Sequence, residues 1–223
     1  MALLPAVEFE TGEKPACCVI WLHGLGADGN DFAPIVPDLG LPEDLAVRFI
    51  FPHAPRIPVT INGRFVMPAW YDILEMDIDR RVDKEGLMTS ARAISLFIDR
   101  ELDRGVSSRR IVLAGFSQGG AVAYQAALSC KVRLCGLLAM STYFATSDEV
   151  EMDPANRDLP IEVMHGQYDP VVPEILGRNA VAFLEKHGYR PNYRTYPMEH
   201  NVCLAQIQDI GHWLKKILAP TRG

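Results

Sequence analysis

The chain has 223 residues, of which 48% are hydrophobic and 22% charged, a length and balance suited to one globular domain over residues 1–223 with a sizeable core. Its formal net charge is -6 with a sequence pI near 5.5, and "SSRR" at 107–110 is the nearest approach to a basic cluster, so no nucleic acid is expected as a partner. The start "MALLPAVEFETGEK" has no basic region ahead of its short apolar stretch, and no run approaches the roughly 18 apolar residues of a membrane span, so a cytoplasmic protein without stable membrane insertion is expected.

In chain order, the strand signals are "CCVIWL" at 17–22, "AVRFIF" at 46–51, "RIVLAG" at 110–115, "RLCGLLAM" at 133–140, "IEVM" at 161–164 and "NYRTY" at 192–196. Most are apolar throughout, the pattern of strands buried on both faces of a parallel sheet. Helix-period segments lie between them. Residues 88–104 place Ile94, Phe97, Ile98 and Leu102 on one stripe and stop at Gly105, and 203–218 repeats Leu204, Ile207, Ile210, Leu214 and Ile217. The pattern predicts an α/β fold with a mostly parallel central sheet and helices on both faces. From Pro52 to about Gly86 no clear periodicity holds, and a loop this long in a compact domain is usually functional.

Cys17, Cys18, Cys130, Cys135 and Cys203 show no C-x-x-C spacing and read as reduced core thiols rather than nucleophiles or ligands. The acidic run Glu75, Asp77, Asp79, Asp83 resembles a calcium loop only superficially, because Arg80 stands where such a loop needs glycine. No metal is therefore expected.

The chemistry-bearing stretch is "AGFSQGG" at 114–120, a lone serine between glycines where a strand becomes a helix. Such a tight turn lifts the Ser117 hydroxyl clear of the backbone, and the residues two positions either side, Gly115 and Gly119, must be small. This G-x-S-x-G turn is a nucleophile motif whose oxyanion hole uses the next backbone N–H, here that of Gln118. A serine hydroxyl needs a base, and the base an orienting acid. In open sheets carrying this turn the partners follow in the order serine, acid, histidine. His23 and His53 precede Ser117, His187 ends a helix, His212 lies inside the last one, and His165 ends a strand before an acid can follow it. His200, between the last strand and last helix, is left as the base, and Asp169, in a turn held by Pro170 and Pro173, as the acid.

A second oxyanion donor is expected from the loop after the first central strand, at the Leu25 N–H in "HGLGADG". Gly24, Gly26 and Gly29 also spell G-x-G-x-x-G, a dinucleotide fingerprint. The following strand, however, ends in "AVRFIFPHAP" without an acid for a ribose, and Asp28 and Asp31 would repel a pyrophosphate. No cofactor is expected.

Together, "WLHGLGADGNDF", "PHAPRIPVTINGRFVMPAWYD", "AGFSQGGAVA", "HGQYDPVVP" and "YPMEH" resemble, in register over almost the whole chain, the small carboxylesterase and acyl-protein thioesterase family of the α/β-hydrolase superfamily. The resemblance implies an α/β-hydrolase fold, Ser117, Asp169 and His200 as the triad, and Leu25 and Gln118 as the oxyanion donors. It also implies a serine hydrolase that cleaves small-molecule esters or thioesters through an acyl-enzyme. Relatives usually carry glycine before the triad histidine, where this chain has Glu199. Residues 141–160 are too short for a large cap domain, so short-to-medium acyl esters are the expected substrates, with Phe65, Met67 and Trp70 of the 52–86 loop lining the acyl groove. Acyl-protein thioesterase or lysophospholipase activity is the alternative, a hydrolase-shaped binding protein without chemistry a more distant one. A homodimer is compatible with the sequence.

Overall fold

The computed structural model describes residues 2–75 and 81–219, so Asp77, Asp79 and Arg80 lie outside the described residues. A seven-stranded sheet forms its centre, built from β1 (Ala6–Glu10), β2 (Cys17–Leu22), β3 (Val47–Pro52), β6 (Ile111–Phe116), β7 (Gly136–Met140), β8 (Ile161–Gly166) and β9 (Asn192–Tyr196), in the order β1-β3-β2-β6-β7-β8-β9. Only β1 is antiparallel to its neighbour. Alternate side chains of each central strand feed two different cores. Cys18, Ile20 and Leu22 of β2 meet α1 (Lys84–Asp103), α2 (Gln118–Leu128) and α3 (Glu174–Lys186) on one face. Cys17, Val19 and Trp21 meet α4 (Leu204–Leu218) and the 3-10 turns of Ala33–Leu39 on the other. Burial on both sides is why these strands are apolar throughout.

Three features depart from the sequence reading. The edge strand β1 has no buried residue and so lacks the apolar run that marks its neighbours. It is tied down by charge instead. Arg48 on β3 bonds Glu10 and the fully buried Glu101 of α1, while Arg100 of α1 and Arg104, which caps its end, reach Glu8. Within 52–86, β4 (Arg56–Val59) and β5 (Phe65–Pro68) form a separate hairpin, and Ile73 pairs with Val82. The first helix starts at Lys84, ahead of its apolar stripe, because the Asp83 carboxylate accepts the Gly86 N–H at 2.9 Å and caps it. Residues 141–160 contain only turns and a short 3-10 segment, with no cap domain.

From β2 the chain moves outward to β3, then returns past β2 to β6. Strand order therefore reverses between β2 and β6, and the connections leaving the carboxyl ends of these paired strands run to opposite sides, which leaves a crevice there.

Candidate active site

Ser117 stands at that crevice, directly after β6, with φ 54° and ψ -121°, a conformation that costs energy for any residue with a Cβ. Neighbouring groups hold it there. Its N–H bonds the Met140 carbonyl of β7 at 2.9 Å, and its carbonyl accepts the Thr142 hydroxyl at 2.6 Å. A Cβ at Gly115 would run into the Gly119 carbonyl, and one at Gly119 into the His23 carbonyl, so both glycines are required for the helix to start this close to β2.

Asp169 lies in the turn after β8 and His200 in the turn after β9. The three side chains meet. His200 Nδ1 is 2.6 Å from Asp169 Oδ2, and its Nε2 is 2.9 Å from Ser117 Oγ. With the Nδ1 proton donated to the carboxylate, Nε2 is free to accept the serine proton. The other Asp169 oxygen accepts the N–H groups of Val171 and Val172 at 2.9 and 2.7 Å. Burial pushes this carboxyl up, but the bonds from His200 and the two N–H groups outweigh it and hold Asp169 below the usual carboxylate range.

Leu25 and Gln118 both line the cavity above Ser117, and among the described residues neither backbone N–H has a protein acceptor. Gln118 N is one of the unpaired N–H groups at the start of α2, which suits it to a developing negative charge. The loop carrying Leu25 is braced by His23. Its Nε2 accepts the Ala54 N–H at 3.1 Å, so Nδ1 must donate to the Gly24 carbonyl, 2.7 Å away. Burial lowers the His23 pKa, which keeps the ring neutral in that role.

The cavity measures about 220 Å3 and is lined by Ser117 and His200 together with Leu25, Ala27, Ile73, Phe116, Tyr143 and Val171, and by Asp31. Of the expected acyl-groove residues, none lines it. Trp70 is 1% exposed and faces inward, its indole N–H donating to the His23 carbonyl at 2.9 Å and its backbone N–H to Gln118 Oε1 at 2.9 Å. Met67 is half-buried on the hairpin, its sulfur accepting from Asn62, and Phe65 is 75% exposed at the same hairpin. The segment after β5 is a brace. Pro68 O accepts the Gly26 N–H, and the Gln118 side chain spans from Trp70 to the Tyr71 carbonyl. An apolar run near a nucleophile reads alike in sequence whether it faces substrate or core, and here Trp70 is packed inward against the ends of β2 and α2.

Sequence reasoning missed Thr142, the Gln118 carboxamide and His165. His165 is fully buried behind Asp169, its Nε2 2.8 Å from the Val172 carbonyl and 3.7 Å from the Asp169 carboxylate. Burial lowers its pKa, so it is neutral and donates that proton to Val172. The signal available was a histidine at the end of a buried strand, four residues before the acid. Glu199 is exposed and has no ion pair with His200 among the described residues. All five cysteines are free thiols, and none lines the cavity.

Comparison with known proteins agrees with this arrangement. The family model described as phospholipase/carboxylesterase matches residues 5–218. The chain is 37% identical to acyl-protein thioesterase 1 of Neurospora crassa over 97% of this chain and 91% of that protein. It is 36% identical to acyl-protein thioesterase 1 of Gibberella zeae over 95% of each. The crystal structure of Arabidopsis thaliana SOBER1 superposes with a TM-score of 0.84 at 26% identity, covering 91% of this chain and 99% of that one. The chain therefore belongs to the phospholipase/carboxylesterase family and is a hydrolase of the α/β-hydrolase fold.

Proposed function

We propose that the chain hydrolyses carboxylic esters of short-to-medium acyl chains through an acyl-enzyme on Ser117. The observation that carries the reading is the continuous path from Asp169 through His200 to Ser117 Oγ, at 2.6 and 2.9 Å, beside two unpaired backbone N–H groups. Ser117 Oγ attacks the ester carbonyl carbon as its proton passes to His200 Nε2. The Leu25 and Gln118 N–H groups take the oxyanion, each such donor being worth about 10²- to 10³-fold in kcat. The imidazolium, stabilised by Asp169, then gives its proton to the leaving alcohol or thiol. Water attacks the acyl-enzyme by the same route, releasing the acid and returning the proton to Ser117.

Chain-length preference follows from the cavity. It measures only about 220 Å3. Each buried methylene adds about 0.8 kcal/mol only while the wall covers it. For p-nitrophenyl esters, kcat/KM is expected to climb and then fall within the short-to-medium range. A second reading, acyl-protein thioesterase activity, is favoured by the names of the relatives from Neurospora crassa and Gibberella zeae. A steady rise through palmitoyl esters below their critical micelle concentrations, with S-acylated peptides outcompeting short esters, would replace the first reading by the second.

A further inference from the structure

The cavity wall holds one charged side chain that the proposed reaction does not use. Asp31, exposed in the loop after β2, lines the same cavity as Ser117 and His200, among apolar neighbours. Its carboxylate has no hydrogen bond or ion pair with any described residue, while Asp28 nearby is occupied by Asn30. An exposed carboxylate at the mouth of a mainly apolar cavity, with no ion-pair partner among the described residues, leaves its charge to act on whatever enters, more strongly the lower the salt.

The position of Asp31 says which part of a substrate meets that field. The next residue, Phe32, packs its ring 5.7 Å from that of Phe116, and the Phe116 ring packs 4.8 Å from His200. Through Phe32 and Phe116, the loop that carries Asp31 is thus joined to the His200 side of the cavity, and the leaving group must depart past the imidazole that protonates it. Ile73, Tyr143 and Val171 add mainly apolar lining suited to an acyl chain.

We propose that Asp31 is a specificity-determining residue that selects the leaving group by charge. It favours esters and thioesters whose alcohol or thiol portion is cationic, and rejects those bearing a carboxylate or phosphate there. This rests on the hydrolase reading above and adds a rule about substrate class that the triad alone does not set. Applied to S-acylated peptides, it favours acylation sites flanked by basic residues.

Three acyl-matched substrates test it: butyrylcholine, its uncharged isostere 3,3-dimethylbutyl butyrate, and the anionic 3-carboxypropyl butyrate. At about 20 mM ionic strength, where charges act over about 20 Å, kcat/KM is expected in the order cationic, neutral, anionic. Asp31→Asn should shrink the cationic-to-neutral and neutral-to-anionic ratios by about 5-fold each, Asp31→Lys should invert the order, and added salt should compress the wild-type spread. Unchanged ratios in Asp31→Asn, or a loss equal for all three esters in both variants, would overturn the proposal. Failure of the wild-type protein to cleave the neutral isostere would instead overturn the hydrolase reading, and this inference with it.

Discussion

At the scale of single residues, the site depends on which nitrogen of His200 carries the proton. Asp169 sets this by accepting from Nδ1 at 2.6 Å, and the Val171 and Val172 N–H groups stop the carboxylate from turning away. Asp169→Asn keeps the shape but presents an amide that can donate to Nδ1, which favours the tautomer whose Nε2 already holds a proton. Turnover of a short ester is expected to fall by about 10³- to 10⁴-fold with little change in KM, read by steady-state kinetics. A loss below tenfold would show that the carboxylate does not orient the base. That Ser117, Asp169 and His200 would come together could be read from sequence, because a G-x-S-x-G turn and a fixed partner order each restrict the choice. Thr142 could not, since its partner, the Ser117 carbonyl, is a backbone group that leaves no trace in residue identity, and for His165, bonded to the Val172 carbonyl, only its place four residues before the acid hinted at a role.

Among the elements, the 52–86 segment is where reading and structure diverge most. A long proline-rich stretch with Phe65, Met67 and Trp70 suggests a groove, yet its bonds from Pro68, Trp70 and Tyr71 run to the loop that carries Leu25 and to Gln118. The hairpin itself is short and lies outside the main sheet, so it lacks the buried apolar run that reveals a central strand. Trp70→Ala is accordingly expected to cost about 3 to 5 kcal/mol in urea unfolding while leaving the acyl-length profile unchanged in shape. Phe65→Ala, at an exposed position, should change stability by less than about 0.5 kcal/mol. A flattened length profile in Trp70→Ala at intact stability would restore the groove assignment. The central strands and long helices were legible because burial on two faces or one stripe dictates their apolar pattern, whereas β1 is held by Glu8, Glu10 and three arginines and has no such pattern.

For the whole molecule, two buried neutral histidines, His23 and His165, make stability fall on acidification, opposed by Glu162, whose carboxyl is pushed up by burial. Burial lowers both pKa values in the folded chain, so on acidification the unfolded chain binds protons that the folded chain refuses. Stability then falls as pH drops below the ordinary histidine value of about 6.5, by up to about 1.4 kcal/mol per pH unit for each histidine, until the folded pKa is reached. Asp169, whose folded pKa is lowered, adds stability above the ordinary carboxylate range that is lost as pH falls through its folded pKa. Urea midpoints between pH 8 and 5 should decline accordingly, and the His165→Gln variant should decline less steeply; a flat profile would mean that neither ring is buried neutral. The central claim, that this fold brings Asp169, His200 and Ser117 together to make one serine nucleophilic, is tested most directly by reaction with a fluorophosphonate followed by peptide mapping. The expected result is a single adduct, on Ser117, formed far more slowly in the His200→Ala variant. Labelling at any other residue, or equal rates with and without His200, would contradict it.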